Sequence, residues 1–93
     1  MESERLIFRV HAIQRMFERS INESEVRQAL ANGKIIETYP EDEPYPSFLV
    51  LGWSGSRPIH VVAADNPEQK ERIIITCYEP DLVRWEPGFE KRR

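Results

Sequence analysis

The chain changes its apolar period at Gly33. Before that glycine, hydrophobic residues recur at helical spacing; after it, they alternate or run in short β-branched blocks. The switch restricts the chain to a fold in which helices come first and a sheet is built afterwards. In the first part, Val10, Ile13, Met16 and Phe17 share one stripe of a helix at about 100° per residue, with Leu6 one turn earlier. The spacing predicts a helix over residues 8–19 whose apolar stripe sits on a sheet. Ile21-Asn22-Glu23-Ser24-Glu25-Val26 then marks a restart, with Asn22 as N-cap and Glu25 closing a capping box. Ile21 can staple to Val26 across that cap. Val26, Ala29 and Leu30 form the second buried stripe, and Gly33 is expected to end the helix in the left-handed conformation. Two short helices joined over residues 20–22 make an αα-hairpin.

Strands are expected over residues 34–39, 47–53, 57–65 and 72–78. Pro40, Pro44 and Pro46 interrupt the first pair with an exposed acidic loop, whereas Ser54-Gly55-Ser56 joins the second pair tightly. The run Arg72-Ile73-Ile74-Ile75-Thr76-Cys77-Tyr78 is apolar on both faces and reads as a central strand. The tail keeps Leu82, Val83, Trp85 and Phe89 among its charges, so it should pack back on the domain. Residues 1–6 and 90–93 are expected to fray. The expected fold is therefore α+β. A helical hairpin covers one face of a four-stranded, mainly antiparallel sheet in the order α-α-β-β-β-β, within a single domain of 93 residues.

Composition matters mainly for what it excludes. The formal charge of −3 argues against a general nucleic-acid binder. The acids, however, concentrate at Glu41-Asp42-Glu43 and over residues 68–71, while residues 5–19 carry four arginines against Glu18 alone. A local basic face remains available. Cys77 is the only cysteine, so neither a disulfide framework nor a cysteine-based zinc site is expected. The acidic loop lacks the spacing of a calcium site. No glycine-rich phosphate loop or nucleophile elbow is present, and no cofactor is expected. Without a signal-like start or a long apolar run, a cytoplasmic protein with no membrane contact is expected.

The candidate chemistry lies in a few side chains. His11, Arg15 and Arg19 follow one another at i, i+4 and i+8, bordering the apolar stripe. One imidazole and two guanidiniums suit a phosphate. Each residue alone also reads as an ordinary solvated helix side chain. His60 shares a strand face with Val62, opposite Ile59 and Val61. It is either a satisfied half-buried polar group or an acid/base. Thr76 and Tyr78 share a face of the last strand, where their hydroxyls could orient a phosphate or ribose or simply pair across the sheet. Cys77 reads as a small buried residue with no sign of activation.

Taken together, His11-Ala12-x-x-Arg15-Met16-x-x-Arg19, the Tyr39-Pro40 strand end, His60-Val61-Val62 and Thr76-Cys77-Tyr78-Glu79-Pro80 followed by Trp85 resemble a family of short prokaryotic domains of unknown function. The match runs from about Val10 to Trp85. That family is similar to RelE-like and MqsR-like ribonuclease toxins in size and in its helices-then-sheet order. Its members are often encoded beside zinc-ribbon proteins like those that act as antitoxins. The resemblance implies a RelE-like fold and a metal-independent endoribonuclease restrained by an antitoxin-like protein partner. His11, His60 and Tyr78 would be catalytic, and Arg15, Arg19 and Thr76 would hold the RNA phosphate. The alternative is a non-catalytic module that binds a protein or small ligand through the same groove. Exposed sheet edges in so small a domain also make a homodimer an option.

Overall fold

The computed structural model describes residues 5–93. The elements run β1 (Arg5–Phe8), α1 (Val10–Glu18), α2 (Glu23–Asn32), β2 (Lys34–Tyr39), β3 (Ser47–Ser54), β4 (Arg57–Asn66) and β5 (Glu71–Tyr78). The fold is α+β, as the change of period at Gly33 requires. The sheet has five strands in the order β1-β5-β4-β3-β2, not the expected four. The added strand lies in a segment expected to be partly frayed and partly helical; residues 1–4 of that segment lie outside the described residues. β1 runs parallel to β5, pairing Leu6 with Arg72 and Phe8 with Ile74. The other three pairings are antiparallel, so the sheet is mixed. Leu6-Ile7-Phe8 is too short for its period to be read. Its strand character comes from the open edge of β5 rather than from local preference.

This strand also decides which side of α1 is buried. Arg9 alone separates β1 from α1, and its amide donates to the Ile74 carbonyl at 3.3 Å. The phase of the helix is thereby set by strand pairing and not by its own apolar stripe. Ala12 and Met16 face the core, whereas Val10, Ile13 and Phe17 are 67%, 53% and 87% exposed. The expectation that the whole Val10-Ile13-Met16-Phe17 stripe sits on the sheet is corrected: only Met16 does. The small Ala12 side chain brings the helix close to β5.

The second helix follows its sequence signals more closely. Asn22 accepts from the Glu25 amide at 2.8 Å, and Glu25 accepts from the Asn22 amide at 3.0 Å, completing the capping box. Val26, Ala29 and Leu30 are buried against the sheet. Gly33 caps the helix with φ −87°, so the left-handed expectation does not hold. Glycine is needed there for clearance: a Cβ would stand 2.4 Å from the Ala29 carbonyl oxygen and 2.6 Å from Val50 Cγ1.

Two layers of side chains leave the sheet. One, with Val50, Ile59, Val61, Ala63, Ile74 and Cys77, forms the core under the helices. The other carries Leu49, Leu51, His60, Ala64 and Ile73, all buried although no helix lies over them. The C-terminal tail covers part of this second face. Trp85 is 2% exposed and bridges to Arg92, as the docking expected of the tail requires. The far end, expected to fray, is engaged: Arg92 makes a bidentate pair with Glu37 of β2 at 2.9 and 3.0 Å.

Candidate functional site

Where β5 ends and the tail begins, a cleft of about 400 Å³ opens beside Tyr78, Trp85 and four arginines: Arg19, Arg57, Arg84 and Arg92. Three elements supply them. Arg19, just past the end of α1, donates to the Cys77 carbonyl at 2.8 Å and lies 6.0 Å from the Tyr78 ring centroid. Arg57 opens β4, where it bonds Glu79 at 2.7 Å and Glu25 at 3.1 Å and donates to the carbonyls of Ser20 and Arg19. The tail brings Arg84, paired with Asp81, and Arg92, stacked 4.6 Å over Trp85. Among the described residues no carboxylate forms a salt bridge with Arg19.

Behind the cleft lies His60, fully buried at mid-sheet. Its Nε2 is 2.9 Å from the Phe89 carbonyl oxygen and its Nδ1 is 3.2 Å from the Tyr78 hydroxyl. A carbonyl only accepts, so Nε2 carries the proton and Nδ1 accepts from Tyr78. Trp85 closes the ring on its third side at 4.4 Å and 90°. Burial holds the His60 pKa below its usual value; the Phe89 carbonyl and the Glu37 charge oppose that shift. Burial likewise raises the Tyr78 hydroxyl. A neutral imidazole thus accepts a hydrogen bond from a neutral phenol whose ring lines a cationic cleft.

The expected site residues separate into two groups. His60 and Tyr78 meet directly as cross-strand partners, and Arg19 joins them through the Tyr78 ring. His11 does not. It is exposed on α1, and its eight-residue separation from Arg19 amounts to about 12 Å along a helix. Arg15 bonds Glu18 at 3.0 Å and does not line the cleft. The helical stripe therefore exists, but only its last member reaches the cleft. Thr76 pairs with Val62 on the Tyr78 face and also lies outside the lining. Cys77 is buried toward the helices, and burial pushes its thiol up to about 11. Sequence reasoning missed Arg57, Arg84 and Arg92. The first sits at a hairpin start where nothing distinguishes it; Arg84 lies in a tail expected to dock through its apolar residues, and Arg92 in the end expected to fray.

A family model described as a domain of unknown function, DUF4258, matches residues 8–79. The chain belongs to this family. No curated protein and no solved structure matches the chain. The matched span carries Arg19, Arg57, His60 and Tyr78, while Trp85, Phe89 and Arg92 enclose the DUF4258 site from beyond its end. Among the described residues no group of three or more His, Cys, Asp or Glu is placed to hold a metal ion. Among the described residues no helix is long and apolar enough to cross a membrane.

Proposed function

We propose that this DUF4258 domain binds an RNA phosphodiester in the Arg19–Tyr78 cleft and cleaves it, with Tyr78 and His60 moving the protons. The observation that carries this reading is the Tyr78 hydroxyl, hydrogen-bonded to a buried His60 beside guanidiniums from α1, β4 and the tail. In RNA cleavage the ribose 2′-oxygen attacks the adjacent phosphorus and the 5′-oxygen leaves. The 2′ proton passes to the Tyr78 oxygen as the phenolic proton moves to His60 Nδ1. The same relay run backwards protonates the departing 5′-oxygen and restores both groups. Arg19, the lining guanidinium with no carboxylate partner among the described residues, offsets the charge that grows on the phosphorane. His11, Arg15 and Thr76 have no part in this chemistry. The RelE-like comparison and an antitoxin-like partner that covers the cleft belong to the same proposal.

A non-catalytic binding module remains the second reading. It is favoured by the pairing of Arg57, Arg84 and Arg92 with carboxylates, which leaves the cleft only weakly cationic. The test is cleavage of a single-stranded RNA by the purified chain with EDTA present, beside Tyr78→Phe and Arg19→Ala. Cleavage leaving 2′,3′-cyclic phosphate ends, lost by about 100-fold or more in either folded variant, is the expected result. Intact RNA with the parent protein overturns the catalytic reading. Binding whose affinity does not fall with salt overturns phosphate recognition as well.

A further inference from the structure

At the far end of β4 from Arg57, where β3 begins, a second hollow of about 590 Å³ opens. Arg57 and Asn66 are the two ends of that ten-residue strand, about 30 Å apart at the rise of a β-strand, and the hollow shares no lining residue with the Arg19–Tyr78 cleft. Its lining is mainly apolar, from Tyr45, Phe48 and Pro67 among others, and its charged members are both acids, Asp65 and Glu68. Arg72 already engages Asp65 through bonds of 2.7 and 2.9 Å. Glu68 is different: among the described residues no cation forms a salt bridge with it, or with Glu41 and Glu43 in the loop that leads to Tyr45. That loop, residues 40–46, holds three acids and no base. Asn66, in the same lining, has its Oδ1 buried with no hydrogen-bond partner among the described residues. An acceptor left in this way is costly, and an amide turned outward lets an entering donor satisfy it.

We infer that this hollow docks a basic peptide segment of a partner protein, anchored by an arginine side chain. The methylene stem of an arginine covers apolar surface while its head stays with the acids. Its planar guanidinium also stacks on aromatic faces, which the compact ammonium of lysine does less well. The chain already contains this arrangement once: the Arg72 guanidinium lies 5.0 Å from the Phe48 ring centroid while it bonds Asp65. An incoming arginine repeats it with Tyr45 and Glu68. A peptide, unlike a single small cation, also brings flanking basic residues to Glu41 and Glu43. The charge here is opposite to that of the cleft, so the two ends of β4 select different partners.

Oligo-arginine and oligo-lysine peptides of about eight residues are long enough to span the hollow, and fluorescence anisotropy reads their binding to the full chain at low salt. A dissociation constant of about 0.1 mM or tighter is expected for oligo-arginine, with oligo-lysine at least about 3-fold weaker. Tyr45→Ala should weaken oligo-arginine about 10-fold and Glu68→Gln about 3-fold, with circular dichroism unchanged. Glu86→Gln in the tail should change nothing. Glu68→Gln, an exposed change, carries the test if Tyr45→Ala disturbs the loop. The Asn66 side-chain amide resonances should shift on binding. Absence of binding overturns the inference. Equal affinity for the two peptides, or a Glu68→Gln effect no larger than that of Glu86→Gln, overturns it in favour of diffuse attraction to an acidic surface. Spermidine that binds as tightly as oligo-arginine overturns the peptide in favour of a small cation. Tyr78→Phe and Arg19→Ala should bind oligo-arginine like the parent, so the outcome is independent of RNA cleavage at the cleft.

Discussion

Gly52 of β3 lies directly against the α2 backbone, and replacing it with alanine tests the packing of α2. A Cβ there would stand 1.9 Å from the Ala29 carbonyl oxygen, 2.5 Å from its carbonyl carbon and 2.6 Å from its Cα. All three are backbone atoms, so no side-chain rotation relieves the clash. The helix must retreat from β3 by more than about 1 Å, a gap that removes a quarter to a half of the contact energy of the side chains beneath it. Those side chains are Val26, Ala29 and Leu30, which supply most of what α2 buries. Overpacking alone costs about 1–3 kcal/mol, and the lost contacts bring the sum to about 3–5 kcal/mol. One effect runs the other way: alanine restricts the unfolded chain and stabilises by about 0.4–1 kcal/mol. The clash wins.

At about 0.05–0.15 kcal/mol per residue, a chain of this size has roughly 5–14 kcal/mol in total, so Gly52→Ala removes about a fifth or more of its stability. Urea unfolding followed by circular dichroism reads this as a fall of about 3–5 M in the midpoint for a slope near 1 kcal/mol/M, or as a chain already unfolded without urea. Gly55→Ala is the control. Its φ is +62° and nothing lies within 4 Å of an added Cβ, so only left-handed strain of about 1 kcal/mol is expected. An alanine at position 52 that costs no more than one at position 55 would refute the close packing of α2 on β3.

Three further outcomes follow from the buried cluster on the other face. Tyr78→Phe leaves His60 Nδ1 without its partner and should cost about 1–3 kcal/mol, toward the lower end because the bond is 3.2 Å long; a urea midpoint equal to the parent's would contradict the bond. The His60 pKa is lower folded than unfolded, so below its ordinary value of 6.5 the unfolded chain binds more protons. Stability should therefore fall as the pH drops from about 6.5 toward the depressed folded value, and a folded His60→Gln variant should lose that slope over the same range. Arg92→Ala breaks the pair with Glu37 and uncovers Trp85, with an expected red shift in tryptophan emission and easier acrylamide quenching. The stability loss should stay near 1 kcal/mol, since the Arg92 side chain is 57% exposed and its pairing is screened by solvent.

Much of the fold was legible where a signal is local. The capping box at Asn22 and Glu25, the Ser54–Ser56 turn and the alternation along β4 are each determined within a few residues. What escaped depends on partners remote in sequence. Leu6-Ile7-Phe8 becomes a strand only because β5 offers an open edge, and that pairing then rotates α1 so that Ala12, not Phe17, faces inward. For the site, strand periodicity put Thr76 with Tyr78 on one face of their strand and His60 with Val62 on one face of theirs, but the meeting of the two did not follow. The helical stripe placed His11, Arg15 and Arg19 on equal terms, and only the end of the helix decides that Arg19 reaches Tyr78. Arg57, Arg84 and Arg92 carry no local mark of a shared cleft, because a hairpin start and a folded-back tail bring them together.

The tail gives the His60 environment its particular character. Were β4 and β5 left open on this face, the imidazole would meet water and titrate as an ordinary histidine. Phe89 and Trp85 instead close it in, and the Phe89 carbonyl, which can only accept, fixes the proton on Nε2. That choice turns Nδ1 toward Tyr78 as an acceptor. The hairpin 84–93 therefore does more than cover apolar surface: it selects the tautomer in which the phenol, and not the imidazole, donates. The latch that holds this hairpin is Arg92 on Glu37, whose carboxyl is kept below the usual carboxylate range chiefly by the Arg92 hydrogen bonds. Glu37→Gln weakens that latch without touching the cleft lining. If the tautomer depends on the tail, the His60 nitrogen-15 shifts of this variant should move toward a mixture of the two neutral forms. If they stay those of the Nε2-protonated ring, the sheet alone orders the histidine and the tail is only a cover.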